Sequence, residues 1–154
     1  MAKEIERKFL VDLKSWKKEG HCIPMQQAYL SVNNGKVVRV RIAGENAFLT
    51  VKANLSGITR DEFEYSIPLD DARQMMKMGE GYPIIKKRYI EKTGDKTWEV
   101  DVFEQENQGL VVAEIELTHE NEAFEKPEWL YEEVSDDPRY FNFNLSRNPY
   151  TKWQ

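Results

Sequence analysis

In the alternating stretches of this 154-residue chain, six pairs of like-charged side chains stand two residues apart: Glu4 and Glu6, Arg39 and Arg41, Glu62 and Glu64, Lys86 and Arg88, Glu99 and Asp101, Glu114 and Glu116. In an extended strand such residues share one face about 6–7 Å apart, so each pair concentrates one sign of charge. Same-sign neighbours repel unless a counter-charge lies between them. Carboxylates in this pattern suit a hard divalent cation such as Mg2+ or Mn2+, which takes oxygen ligands. Arginine and lysine suit phosphoryl oxygens, which they hold by charge-assisted hydrogen bonds. A polyanion bound together with metal satisfies both halves. In-line displacement at phosphorus needs positioning, charge neutralisation and an activated water, and that combination supplies them.

Strands must hold these pairs, and the dominant sequence period is two. Eight strands are expected: Glu4–Val11, Met25–Val32, Lys36–Ala43, Ala47–Ala53, Thr59–Ile67, Pro83–Lys92, Lys96–Glu104 and Leu110–Thr118. Asn34-Gly35 readily takes the positive φ angles of a hairpin turn. Further turns are expected at Gly44-Glu45-Asn46, Ser56-Gly57, Thr93-Gly94-Asp95 and Asn107-Gln108-Gly109. Asp12 is expected to cap a short helix carrying Leu13 and Trp16 on its apolar side. A second helix, opened by Asp70 or Asp71 and ending at Gly79 after Met78, is expected to cover one barrel opening. From Asn121 onward the pattern is helical or irregular.

The expected fold class is mainly β (α+β): an eight-stranded antiparallel β-barrel, closed so that no sheet edge is exposed. The charged face also carries Lys8, Thr50, Lys52 and Arg60. The opposite face is almost wholly apolar, from Ile5, Phe9 and Val11 through Leu49, Val51, Phe63 and Tyr65 to Ala113, Ile115 and Leu117. Two arrangements fit this alternation. In one, the charges are the solvated outside of an ordinary barrel with an apolar interior. In the other, they line the lumen, and the apolar face packs beneath Leu13–Trp16, Ala72–Met78 and the C-terminal segment. Segregation by sign speaks for the second without excluding the first.

Composition bounds the rest. Residues 1–154 suit one domain. A hydrophobic share of 40% with 12% aromatics opposes wholesale disorder, while 32% charged residues exceeds the usual globular share of about 25%. A net charge of −5 disfavours a nucleic-acid surface and an anionic membrane, so neither partner is expected. The single cysteine, Cys22, cannot form an internal disulfide, and no zinc-ligand spacing is present. Charge from Lys3 through Lys8 leaves no signal-peptide apolar run, and cytoplasmic residence is expected. His21, His119 and Cys22 lack catalytic partners at a useful spacing. Met75, Met76 and Met78 suit the core contacts of a covering helix, and Trp16, Trp98, Trp129 and Trp153 suit packing on the outer face. No P-loop, HExxH or GxSxG motif occurs.

Glu4-Ile5-Glu6-Arg7-Lys8-Phe9-Leu10 resembles the ExExK signature of the CYTH, or triphosphate tunnel metalloenzyme, superfamily. Gln27-Ala28-Tyr29-Leu30, Arg39-Val40-Arg41, Thr50-Val51-Lys52, Arg60-Asp61-Glu62-Phe63-Glu64, Lys86-Lys87-Arg88-Tyr89, Glu99-Val100-Asp101 and Ala113-Glu114-Ile115-Glu116-Leu117 look like its successive strand motifs in order. Arg139-Tyr140-Phe141-Asn142 and Asn144-Leu145 look like its C-terminal element. The resemblance decides for the inverted barrel, a tunnel with a charged lumen and helices packed outside and at the C-terminus.

It also implies Mg2+ or Mn2+ as cofactor and a triphosphate-containing small molecule as substrate. Carried over by position, Glu4, Glu6, Glu114 and Glu116 are the metal ligands. Lys8, Arg39, Arg41, Lys52, Lys86 and Arg88 grip the phosphates. Glu62, Glu64 and Asp101 hold a second metal, orient the attacking water or buttress the basic residues, and the sequence does not separate these roles. Glu99 and Arg60 are weaker candidates. The expected activity is metal-dependent hydrolysis of a terminal phosphoanhydride of inorganic tripolyphosphate, releasing orthophosphate, as in the compact bacterial members. The alternatives are a class IV type adenylate cyclase, a thiamine or nucleoside triphosphatase, and a non-catalytic polyphosphate-binding module. A homodimer is in keeping with the family.

Overall fold

The computed structural model describes residues 3–56 and 58–153, with backbone alone at 54–56. Among the described residues nine strands form: β1 (Lys3–Val11), β2 (His21–Asn33), β3 (Lys36–Ala43), β4 (Asn46–Ser56), β5 (Thr59–Ser66), β6 (Glu80–Thr93), β7 (Lys96–Phe103), β8 (Val111–Glu116) and β9 (Leu130–Glu133). Two α-helices accompany them, α1 (Leu69–Met76) and the short α2 (Asn142–Leu145). The expected Ser56-Gly57 turn includes Gly57, which lies outside the described residues.

Pairing runs β5-β4-β3-β2-β6-β7-β8-β1, and β1 pairs back onto β5, closing an eight-stranded antiparallel barrel. Period-two patterning sets this up, because one strand face is polar and the other apolar around the whole ring. Asn34 and Gly35 take φ of 52° and 76°, the mirror-image turn that matches strand twist. β2 starts at His21, earlier than its pattern suggests, because residues 21–24 pair only with β6. Pro24 is tolerated there, since its missing donor falls on the side with no β3 ladder.

The seam is asymmetric. One edge of β1 binds β5 through Lys3, Glu4 and Ile5, then binds the extra strand β9 through Phe9 and Val11. Between them, Lys8 N–H donates to Ser135 Oγ at 2.9 Å, and Arg7 on the outer face donates to Glu133. β9 falls in the stretch read as helical or irregular. Four residues, Leu130–Glu133, are too few to show a period.

Apolar burial is divided among three clusters. On the outer face Phe9, Trp98, Val100, Ala113, Ile115 and Leu117 pack beneath Trp16, Trp129 and Phe124. Each fully buried side chain of this size contributes about 1.5–3 kcal/mol. Leu13–Trp16 is a turn instead of a helix: the Asp12 carboxylate accepts from the Lys14 amide and the Ser15 hydroxyl, satisfying the chain locally. Leu13 is exposed while Trp16 is buried.

α1 covers the outer wall of β2, β3 and β4, seating Ala72 among Ala28, Val40, Ile42 and Ala47. It therefore does not cap a barrel opening. Met75 and Met76 pack there, but Met78 lies past the helix end and is 68% exposed. The apolar outer face is also less covered than expected, with Val51, Phe63 and Tyr65 exposed on β4 and β5.

The third cluster fills one end of the barrel. Tyr29, Val37, Ile84, Phe103, Leu110 and Val112 pack with Val134, Tyr140 and Leu145, and the C-terminal segment brings Phe143, Tyr150 and Trp153 against them. Trp153 thus serves this plug and not the outer face. Gly81 permits the docking: its φ is +72°, and a Cβ there would lie 2.4 Å from the Ser146 carbonyl oxygen. The Tyr82 amide donates to that same carbonyl at 2.7 Å. No described helix is long and apolar enough to cross a membrane.

Candidate active site

Residues directly opposite on neighbouring strands share a face, so the register itself brings the charged set together. Around the ring Lys8 faces Glu114, Glu6 faces Glu116, Glu99 faces Glu114, and Arg88 faces Asp101. Arg39 faces Thr50, Thr50 faces Glu64, Lys52 faces Glu62, and Glu4 faces Arg60, which closes the circle. All of these side chains belong to the lumen.

They line a cavity of ≈ 340 Å³, within the range of about 300–1,000 Å³ usual for small-ligand sites. Glu4, Glu6, Lys8, Arg39, Arg41, Lys52, Glu62, Glu64, Arg88, Glu114 and Glu116 contribute to its wall, with Arg60 and Glu99. Lys86 and Asp101 are not among the lining residues. Both are buried, and Lys86 Nζ donates to Asp101 at 2.8 Å while Arg88 holds the same carboxylate with two bonds of 2.8 and 2.9 Å. Asp101 is thus a buried anchor for two cations. Burial opposes its charge, but Arg88 and then Lys86 outweigh burial and hold its carboxyl below the usual range.

The basic side carries unspent donor capacity. Arg39 is buried; its Nη2 lies 3.3 Å from Thr50 Oγ1 and 3.7 Å from Glu64, while its Nε has no hydrogen-bond partner among the described residues. An arginine buried with a donor unmet calls for an acceptor. Arg41 is held by Gln27 Oε1 at 2.9 Å, and burial, together with Arg39 and Arg88, lowers it to about 10. Burial likewise lowers Lys86 to about 7 against the pull of Asp101. Cations crowded this closely favour a polyanion.

On the acidic side the carboxylates repel one another. Glu6 is raised well above its usual value, first by burial and then by Glu114 and Glu4. Glu116 is raised by burial, Glu4 and Glu62; Glu4 is raised by burial and Glu62, against Lys52 at 3.0 Å. Glu114 stays ionised, because Lys8 and Arg88 offset its burial. Uncompensated carboxylate oxygens are the donor set a hard divalent cation takes, so the residues fit such a metal, although no three described His, Cys, Asp or Glu side chains sit close enough to cage one as they stand.

The CYTH domain family profile matches residues 2–144. The chain belongs to the CYTH family. It is 44% identical to an inorganic triphosphatase of Acetivibrio thermocellus, over 100% of this chain and 99% of the relative. It is 36% identical to an inorganic triphosphatase of Nitrosomonas europaea, over 93% of this chain and 96% of that one. A crystal structure of an inorganic triphosphatase superposes with a TM-score of 0.69 at 34% identity, covering 95% of each chain. CYTH triphosphate tunnel enzymes are metal-dependent.

Several lining or supporting residues of this CYTH protein lie in motifs that carry the family resemblance, yet the sequence assigns them no role. Gln27 reads as a strand residue, yet it is fully buried and holds Arg41 while donating to the Tyr29 hydroxyl at 3.0 Å. Phe141, Asn142 and Phe143 line the cavity from the C-terminal segment. Asn142 Oδ1 lies 3.4 Å from Lys86 Nζ, and the Tyr140 carbonyl accepts from Lys8 Nζ at 3.1 Å. For Gln27, Tyr140, Phe141 and Asn142 the cue is their place in those motifs.

Proposed function

We propose that this CYTH protein is an inorganic triphosphatase that hydrolyses a terminal phosphoanhydride of tripolyphosphate. The observation that carries the reading is the lumen itself: Arg39, Arg41, Lys52, Lys8 and Arg88 share one cavity with Glu4, Glu6, Glu114 and Glu116. Full-length relatives at 44% and 36% identity that are inorganic triphosphatases support the same choice of substrate.

In this reading Lys8, Arg39, Arg41, Lys52 and Arg88 bind the phosphoryl oxygens and neutralise their charge. Lys86 acts one layer back, sharing Asp101 with Arg88, so both steady the grip. Glu4, Glu6, Glu114 and Glu116 hold Mg2+ or Mn2+, which when bound lowers the pKa of water and polarises phosphoryl oxygen. Glu62 and Glu64 orient the attacking water and brace Lys52 and Arg39, from which they stand 3.7 Å in each case. Water oxygen bonds to the terminal phosphorus, the bridging P–O bond breaks, and orthophosphate and pyrophosphate result. Residues 1–154 act as one cytoplasmic domain, with a homodimer in keeping with the family.

The deciding experiment incubates purified protein with tripolyphosphate, ATP and thiamine triphosphate, in Mg2+, Mn2+ or EDTA, and quantifies orthophosphate, pyrophosphate and cyclic AMP. Metal-dependent orthophosphate release, strongest on tripolyphosphate and absent from Glu6→Ala, is the expected result. Triphosphate binding without turnover of any substrate overturns the enzymatic reading.

A further inference from the structure

Phe141 stands where an aromatic ring is unexpected, in the wall of a cavity otherwise lined mostly by charges. The Arg60 guanidinium carbon lies 4.9 Å from its ring centroid, and Lys8 Nζ lies 5.7 Å from it. Both distances fall within the roughly 6 Å over which a ring quadrupole attracts a cation. These cations come from opposite sides of the barrel seam, Lys8 from β1 and Arg60 from β5, where Lys3, Glu4 and Ile5 pair with β5. The ring is itself anchored at the end of the barrel. Tyr140 and Leu145 beside it are buried in the end plug, and the Gly81–Ser146 approach fixes the segment to β6.

The chemical nature of that partner matters. A carboxylate in the same place would neutralise the two cations and compete for the N–H groups that a phosphate needs. An aromatic face attracts the charge without accepting a strong hydrogen bond. The guanidinium donors lie in the guanidinium plane and stay available when its face meets a ring. The same segment also fixes the Lys8 ammonium through the Tyr140 carbonyl at 3.1 Å, with Glu114 3.7 Å from that nitrogen.

We propose that Phe141 is a substrate-positioning residue, whose ring holds Arg60 and Lys8 at the cavity wall in a form ready to receive phosphate oxygens, and that Arg60 is thereby part of the triphosphate grip. The proposal rests on the triphosphate reading above and deepens it. It makes the C-terminal segment a working wall of the site as well as a plug.

The test measures tripolyphosphate affinity by calorimetry in EDTA, where no turnover complicates binding, and KM and kcat with Mg2+. Phe141→Leu keeps apolar bulk and removes the quadrupole, while Phe141→Tyr keeps the ring. Phe141→Leu is expected to weaken binding about three- to tenfold, within the range for ordering cations by a ring. KM should rise accordingly with kcat within about twofold, and Phe141→Tyr should stay within about twofold of wild type. In an Arg60→Met background, Phe141→Leu should lose most of its effect, because the two groups act as a unit. If Phe141→Leu melts without cooperativity, Phe141→Met takes its place. Unchanged affinity in the ringless variant, equal loss in the Leu and Tyr variants, or full additivity with Arg60→Met each overturns the proposal. Wild-type binding without hydrolysis defeats only the triphosphatase reading, whereas no wild-type binding defeats both.

Discussion

Glu6 lies directly opposite Glu116 across the β1–β8 ladder, two carboxylates in register on the lumen side. Like charges so placed destabilise a sheet, and Glu6 is pushed well above the ordinary carboxylate range by burial, Glu114 and Glu4. A raised acid favours the folded state below its unfolded value near 4.5, and that contribution is lost as pH rises through the folded value. Glu6→Gln is therefore expected to raise the melting temperature at pH 8 in EDTA while abolishing metal-dependent turnover. Mg2+ should stabilise the wild type more than this variant. A scanning melt with and without Mg2+ checks both, and an unchanged or lower melting temperature for Glu6→Gln in EDTA rules out the repulsion.

Asp101 serves two buried cations at once, so its neutralisation should hurt more than loss of an exposed ion pair. Asp101→Asn is expected to cost about 3 kcal/mol, the range for leaving buried charge unpaired, read from urea unfolding at pH 7. Its folded value is held below the usual one, so its contribution is present at neutral pH and disappears as pH falls through that lowered value. The difference between wild type and Asp101→Asn should accordingly narrow in acid. An equal gap at pH 7 and pH 3 would contradict this.

The barrel and its polarity were legible in advance because both are period-two properties. Each strand states its own faces, and Glu4-Ile5-Glu6, Arg39-Val40-Arg41 and Glu114-Ile115-Glu116 all keep phase. What pattern alone left open was which face turns inward, since alternation is symmetric under that exchange; the resemblance decided it. The C-terminal plug was legible only as a motif, because Phe143 and Leu145 lie on the four-residue α2 and Phe141 just before it, too short a stretch to show a helical period. The same holds for Lys86: it shares the phase of Arg88, yet only packing depth separates the buried brace from the cavity wall. The Asp12 turn was misread as a helix because a capping residue also makes an isolated turn.

Arg39 is the basic residue whose loss should speak most directly for the grip, since its Nε is buried without a partner. Arg39→Ala is expected to raise KM for tripolyphosphate at least tenfold, about 1.4 kcal/mol or more of lost charge-assisted bonding. Mg2+ binding, followed by thermal shift, should change little. Normal KM and kcat would remove Arg39 from the site.

Gly81 makes a sharp prediction about the end plug. Gly81→Ala must place a methyl against the Ser146 carbonyl at positive φ, a strain of about 1–3 kcal/mol. The segment from Tyr140 to Trp153 should loosen first, showing faster amide exchange at Tyr82 and Leu145 than across β7. Uniform protection in both variant and wild type would mean that the approach is not limiting.

The seam at β1 reaches beyond the finished molecule. Glu6 and Lys8 stand more than a hundred residues before their ladder partners Glu116 and Glu114 on β8, and β9 follows later still. A growing chain therefore carries Glu6 and Lys8 before the strand that completes the ring. The lumen closes only once β8 has been made, and a product terminated before it has an open edge instead of a tunnel.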